Sequence, residues 1–273
     1  MLSTVARATA LTAAVMLVPA LCATSGAAAA PAATHHRATL TVHATSQHHV
    51  IAATTTRPGV ARIANTGSQP IFLVRSRHGA GKAALAHDLN ADTAGPLIKN
   101  FTVADILPSK AITYLRLSRG TYYLADTSRD TFTATSIAAL RVAGNKVNAT
   151  APKARHVIVN SSGTLTSPAT ITTSSELGVT NRSTHLQELF LVQVAPKVTS
   201  GDLNAFLAKP SFDKLYTVAA GIPDFLAMLS PRGHATSSHH SRTGRYLVLT
   251  LALTSHSAEP RITAGHVGLI NVK

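Results

Sequence analysis

The strongest constraint on this chain is internal repetition. Residues Ala52–Ile71 (AATTTRPGVARIANTGSQPI) lie on Pro168–Gln187 (PATITTSSELGVTNRSTHLQ) without a gap at an offset of 116, matching Ala53 with Ala169, Thr54 with Thr170 and Asn65 with Asn181. Beyond a two-residue insertion the offset becomes 118. Phe72-Leu73-Val74 then meets Phe190-Leu191-Val192, Leu85 meets Leu203 and Leu89 meets Leu207. Further on, Leu117–Asp126 matches Arg242–Thr250, with Gly120 and Gly244 each two residues before a tyrosine. Each pair alone is weak, but the same order recurring is the signature of a duplicated folding unit. It predicts two domains, residues 35–147 and 148–273.

Within each unit the signals are those of strands. Ala38–Ala44, Gly59–Ala64, Pro70–Arg75, Ile112–Leu117 and Tyr122–Asp126 are short, β-branched or alternating, and bounded by Gly, Pro or Asn. His156–Asn160, Thr170–Thr173, Leu189–Val194, Arg245–Leu253 and Gly265–Val272 repeat the pattern. Gly201–Ala208 reads as a short helix: Thr199 or Ser200 caps it, Leu203, Phe206 and Leu207 share a face, and Pro210 stops it. Regularly spaced short strands with turn signals between them predict an all-β chain of sandwiches.

The first thirty residues read as an address. Arg7 precedes the apolar run Ala10–Leu21, and Ser25–Ala33 offers small-residue cleavage sites. We therefore expect residues 1–30 to be a signal peptide and the protein to be secreted, extracellular or held at the cell envelope. No apolar run reaches the ~20 residues of a membrane span, so no integral membrane span is expected. The chain's single cysteine, Cys22, would leave with the signal, which excludes a disulfide framework and cysteine-based metal or redox centres from the mature protein.

At its turns the sequence resembles a known family. Asn65-Thr66-Gly67-Ser68-Gln69-Pro70, then Leu229-Ser230-Pro231-Arg232-Gly233 with Gly244-Arg245-Tyr246, resemble cupredoxin-like secreted bacterial proteins of the plastocyanin superfamily. The resemblance implies two tandem Greek-key β-sandwiches, each with a short helix, and in functional members a copper site of two His, a Cys and a Met. Here the first-His positions hold Ile71 and Gln187, and the Cys positions hold Asp126 and Thr250. In the closing segment Arg261 stands for His and His266 for Met. A blue-copper centre needs a thiolate. The sequence thus predicts the scaffold with its copper ligands lost and no cofactor.

Other constellations carry less. Of fourteen histidines, His35, His36, His48, His49, His239 and His240 are candidates for extracellular copper or zinc binding, yet their neighbours are Thr, Ser and Arg rather than further ligands. Gly79-Ala80-Gly81-Lys82 lacks the other positions of a phosphate loop. Asp88, Asp92, Asp126, Asp130 and Asp202 read as turn or helix-start residues, and Asp224, after Pro223, as another turn. No nucleophile elbow occurs, and no enzyme is expected.

Charge is the remaining lead. Lys and Arg number 25 against 11 Asp and Glu, while aromatics make up only 4%. Nucleic-acid binding wants a dense basic face with stacking aromatics, so it is not expected. An anionic cell-wall polymer or membrane surface fits better. Arg232, Arg242 and Arg245, in one Gly- and Ser-rich stretch, are the predicted contacts.

Overall fold

The structure is a computed structural model that describes residues 38–91, 94–128, 130–238, 241–253 and 264–273. Among the described residues eighteen strands form three sheets. The largest has eight, in the order Leu165–Thr166 (β11), Arg155–Val159 (β10), Glu176–Asn181 (β13), His234–Ser238 (β16), Ile112–Leu117 (β7), Gly59–Asn65 (β4), Ala38–Ala44 (β1) and Val50–Ala52 (β2). One five-stranded sheet runs Thr55–Thr56 (β3), Ala138–Val142 (β9), Gly120–Asp126 (β8), Ile71–Ser76 (β5) and Phe101–Leu107 (β6). The other runs Thr170–Ile171 (β12), Val267–Val272 (β18), Gly244–Leu253 (β17), Leu186–Gln193 (β14) and Asp224–Leu229 (β15).

Strands β1–β9 and β10–β18 recur in identical order and pairing. In each set the first strand pairs parallel with the fourth, and the fifth lies between the sixth and the eighth. Each set is a β-sandwich with Greek-key crossings: half of the eight-stranded sheet faces one five-stranded sheet. The two halves join where β7 and β16 pair antiparallel, with Tyr114 opposite Thr236 and Leu115 opposite Ala235. That junction is self-complementary, as across a local two-fold axis.

Buried apolar side chains fill the interior between the sheets from Leu40 and Val42 through Leu73 and Leu124 to Leu189, Val248 and Ile270. The outer faces of both five-stranded sheets are also covered. Helices Lys82–Leu89 (α1) and Gly95–Asn100 (α2) bring Leu85, Leu89 and Leu97 onto Phe72, Val74 and Tyr123. Helices Ser200–Ala208 (α3) and Phe212–Val218 (α4) bring Leu203, Phe206 and Leu215 onto Val192, Leu247 and Leu249. Burying a Leu or Phe side chain is worth about 1.5–3 kcal/mol, so these inserts fasten themselves. Thr199 caps α3 as its position predicts, its Oγ1 accepting from Asp202 N at 3.1 Å while Asp202 Oδ2 accepts from Thr199 N at 2.9 Å.

Three aspartates depart from the turn reading. Asp224 opens strand β15, because Phe225 and the apolar run after it pack against β14. Asp88 lies near the end of α1, 2% exposed, and accepts from Asn100 Nδ2 at 2.8 Å. Asp126 ends β8, also buried. His234 opens β16. Residues 1–30, the expected signal segment with Cys22, and His35, His36, Asp92, His239, His240 and Arg261 lie outside the described residues.

Candidate functional site

Two asparagines build the ends of the sandwiches where the family's ligand positions fall. Asn65 Nδ2 donates to Gln69 O (2.8 Å) and Leu107 O (3.1 Å), and its Oδ1 accepts from Gly67 N (3.0 Å). Asn181 Nδ2 donates to His185 O and Leu229 O (both 2.8 Å), and its Oδ1 accepts from Ser183 N (2.9 Å). Both side chains are buried, so each satisfies backbone groups that would otherwise be costly orphans. A second matched pair fixes β8 and β17. Gly120 and Gly244 take φ values of +145° and +144°, accessible to glycine, and two residues on the Tyr122 and Tyr246 hydroxyls accept from Ser118 N and Arg242 N at 3.0 and 3.1 Å.

Between these anchors the two offsets of the repeat are both real. The β5–β6 and β14–β15 ladders correspond at 116, setting Ile71 on Gln187, each opposite a leucine (Leu107, Leu229). The β5–β8 and β14–β17 ladders correspond at 118, setting Ile71, opposite Asp126, on Leu189, opposite Thr250. Strand β14 is the longer by two residues and slides by one pleat. An even shift keeps every side chain on its face.

The four substituted ligand positions meet in pairs, all buried. In the first half Ile71 and Asp126 are cross-strand neighbours. Asp126 turns to other partners: Oδ2 lies 2.7 Å from His48 Nδ1, and Oδ1 accepts from Ser128 N and Oγ at 2.9 and 2.7 Å. In the second half Thr250 Oγ1 donates to Gln187 Oε1 (2.8 Å), Gln187 Nε2 to Ser183 Oγ (3.0 Å), and Ser183 Oγ to Asn181 Oδ1 (2.8 Å). This is a directed chain from Thr250 back to the turn asparagine. Neither set fits a copper–thiolate centre. Ile71 has no donor atom, Gln187 and Thr250 satisfy each other, and Asp126 is engaged on both oxygens.

His48, Asp126 and Ser128 suggest a hydrolytic triad only by composition. A triad uses both ring nitrogens, one toward the carboxylate and one toward the hydroxyl. Here His48 Nδ1 serves both, at 2.7 and 3.1 Å. His49 Nδ1 points elsewhere, to Thr135 O at 3.2 Å. Among the described residues no group of three or more His, Cys, Asp or Glu side chains gathers to hold a metal ion.

The three arginines singled out by sequence do not share a patch. Arg232 sits in the β15–β16 turn, where its N–H donates to Asn181 O. Arg242 and Arg245 lie beyond the far end of β16, a separation of about 17 Å along a five-residue strand. Arg245 is half-buried, its guanidinium donating to Val198 O. Proximity in sequence misled because β16 runs straight between them.

A different cationic set forms on the outer face of the eight-stranded sheet. Register places Arg62, Tyr114, Thr236, Gly178 and His156 in one row across five adjacent strands. The His156 ring lies over Gly178, where a Cβ would come within 2.7 Å of its Nδ1, and stacks on the His234 ring with centroids 5.7 Å apart. His234 Nδ1 is 2.9 Å from Thr180 Oγ1. Partial burial, then the neighbouring His156 and Arg116, hold the His234 imidazole below the ordinary histidine range. One carboxylate among the described residues, the half-buried Glu176, shares this face. Nothing in the sequence pattern signals the row, because it exists only through strand pairing.

A second unpredicted feature is the seam between the five-stranded sheets, where edge strands β6 and β15 abut. Asp105 Oδ1 accepts from Met228 N (3.1 Å) and Ile106 N (2.8 Å), and Ser230 Oγ accepts from Val103 N (2.9 Å). Glu188, cross-strand partner of Met228, is also buried there. Burial pushes the Asp105 carboxyl well above the usual range, and Glu188 up to about 8.

No family model matches the chain, and no curated protein does. Among solved structures it is similar to an auracyanin from Roseiflexus castenholzii (18% identity, TM-score 0.25, covering 43% of this chain and 94% of that one). It is also similar to copper-containing nitrite reductases from Thermus scotoductus (10%, TM-score 0.27, 87% of this chain and 68% of that one) and Nitrosomonas europaea (10%, TM-score 0.24, 85% and 93%). Copper belongs to the names of the two nitrite reductases. Read from its own strand order and turn anchors, the fold of this chain is cupredoxin-like, twice over.

Proposed function

We propose that this protein is an exported, non-catalytic binding module whose eight-stranded sheet lies against a linear anionic phosphate polymer of the cell envelope. The observation that carries this reading is the cationic row on the outer face: Arg62 and Arg116 with the stacked His156 and His234. Strands are about 4.8 Å apart, so the row from Arg62 to His156 spans roughly 19 Å of flat surface. Two permanent cations and two titratable imidazoles spread along the sheet suit an extended chain of anions better than a single small ligand. Export follows from the sequence of residues 1–30. No helix among the described residues is long and apolar enough to cross a membrane. The non-catalytic reading is supported by polar groups at Asp126 and Thr250 that are engaged by neighbours rather than poised.

Co-sedimentation with a teichoic-type polymer tests the reading. Retention should fall steeply between about 0.05 and 0.3 M salt, as the Debye length shortens from roughly 14 to 6 Å. Replacing Arg62 and Arg116 with Ser should weaken binding roughly thirtyfold, since each cation near an anionic surface contributes about 1 kcal/mol. Lowering the pH through the depressed His234 range should strengthen binding by adding a charge. Salt-independent retention, or an unaffected double variant, overturns the assignment of this face. Equal retention on anionic vesicles assigns the charge to membrane surfaces instead.

A further inference from the structure

Between helices α3 and α4 lies a cleft of about 460 Å3, within the size range of small-molecule sites. It lies on the outer side of the second five-stranded sheet, away from the cationic row. Its floor is apolar: Val198, Phe206 and Val218 are all buried members of the α3–α4 core. Its walls carry Lys197, Lys214 and Asp202. The carboxylate is already committed. Asp202 Oδ2 accepts from both Thr199 N (2.9 Å) and Thr199 Oγ1 (2.7 Å), which holds its pKa below the usual range. Lys214 Nζ donates to Lys209 O at 3.2 Å, one use of a group with three donors. An apolar floor thus faces two ammonium groups and one carboxylate serving as a helix cap.

We propose that this cleft binds a small amphipathic carboxylate, its charged head between Lys197 and Lys214 and its alkyl or aryl body on the Val198–Phe206–Val218 floor. The charge balance selects an anion over a cation, and the buried floor selects a ligand with an apolar body over a bare anion. The site is independent of polymer binding, so either assignment can fail without the other.

The test is a titration of the isotope-labelled full chain with sodium octanoate, followed by amide chemical shifts. Saturable shifts confined to residues 197–218 are expected, with a dissociation constant of about 0.1–1 mM, the range for a ligand of roughly ten non-hydrogen atoms. Acetate tests the apolar floor and octylamine tests the charge; neither should shift these amides at the same concentration. Lys197→Met with Lys214→Met should weaken octanoate at least about fivefold. Ala205→Phe, at an exposed wall position, should fill the cleft and abolish binding while leaving amides elsewhere unmoved. Three results overturn the proposal: no saturable shift up to roughly 10 mM, ten times the weakest expected constant; octylamine binding as well as octanoate; or octanoate binding unchanged in Ala205→Phe.

Discussion

The two halves share nine strands in one order, yet they place their buried polar groups differently. In the first half the end of the sandwich carries an ionisable cluster, Asp126 with His48 and Ser128. In the second half the corresponding end carries a neutral chain through Thr250, Gln187 and Ser183. At the seam Asp105 reaches across from β6, while the position corresponding to it on β15 is Ala227; Glu188 stands where the first half has Phe72. What the halves share are groups that satisfy backbone: Asn65 with Asn181, and Tyr122 with Tyr246. The difference teaches that the determinants of this fold are separable from the chemistry at its ends. A duplicated scaffold keeps the anchors and leaves the rest free to differ.

Breaking the shared anchors should have the largest effect. Asn65→Ala removes the side-chain partner of the buried Leu107 O and of the partly buried Gln69 O and Gly67 N. Asn181→Ala does so for the buried Leu229 O and Ser183 N, while His185 O keeps Ser183 Oγ. The cost is about 1–3 kcal/mol per buried orphan, not fully additive. We expect a loss of ~3 kcal/mol for Asn65→Ala in urea denaturation. Asn181→Ala should cost more, since Ser183 Oγ also donates to Asn181 Oδ1 and the chain to Gln187 starts there. Losses under about 1 kcal/mol in both would show that the turns are held by something else.

The seam sharpens the comparison through pH. With its pKa raised to about 8 by burial, Glu188 is protonated in the folded state where it would ionise in the unfolded chain. Its contribution is complete below about pH 4.5 and is lost as pH rises through 8, with a slope of at most about 1.4 kcal/mol per pH unit. Asp105, also raised by burial, acts in the same direction. His234 and His266, both lowered by burial, act oppositely and remove stability as pH falls below about 6.5. Glu188→Leu should therefore raise stability at pH 8 by roughly 2–4 kcal/mol and flatten the profile between pH 6.5 and 8. Adding Asp105→Asn should remove the remaining alkaline slope. A parent protein whose stability is level from pH 6.5 to 9 would contradict the seam as described.

Much of the fold was legible because it follows local pattern. The alternating strands, the Asn turns, the Gly-x-Tyr entries and the Thr199 cap all signal through neighbours in sequence. Strands β6, β15 and β16 did not. Phe101–Leu107 carries Asp105 in its middle, tolerable only because Met228 N meets it across the seam. His234–Ser238 has no apolar alternation, since it is held on both sides by β13 and β7. At the candidate site, the family resemblance put Ile71, Asp126, Gln187 and Thr250 at the ends of the sandwiches. It could not find His48 as a partner of Asp126, seventy-eight residues away, nor the Arg62–His156 row, which assembles from strands of both halves.

The smallest expected effect probes the turns that follow β6 and β15. Lys110 and Arg232 occupy corresponding positions and both adopt left-handed backbone, φ +52° and +64°. Their N–H groups donate to Gly67 O and Asn181 O, bonds that a glycine keeps. For a residue with a Cβ this conformation costs roughly 1–2 kcal/mol. Glycine removes that strain but gives the unfolded chain more freedom, about 0.5–1 kcal/mol in the other direction. Lys110→Gly and Arg232→Gly should each stabilise by about 0.5 kcal/mol, and by the same amount, measured as a shift in urea midpoint at constant slope. Arg232→Gly also removes a charge at the opposite end of β16 from Arg242, so polymer retention should stay within about twofold of the parent. If the two glycine variants differ by more than about 1 kcal/mol, the turns are not equivalent and the repeat ends before them. If Arg232→Gly releases the polymer, the contact lies at that turn and not on the outer face of the eight-stranded sheet.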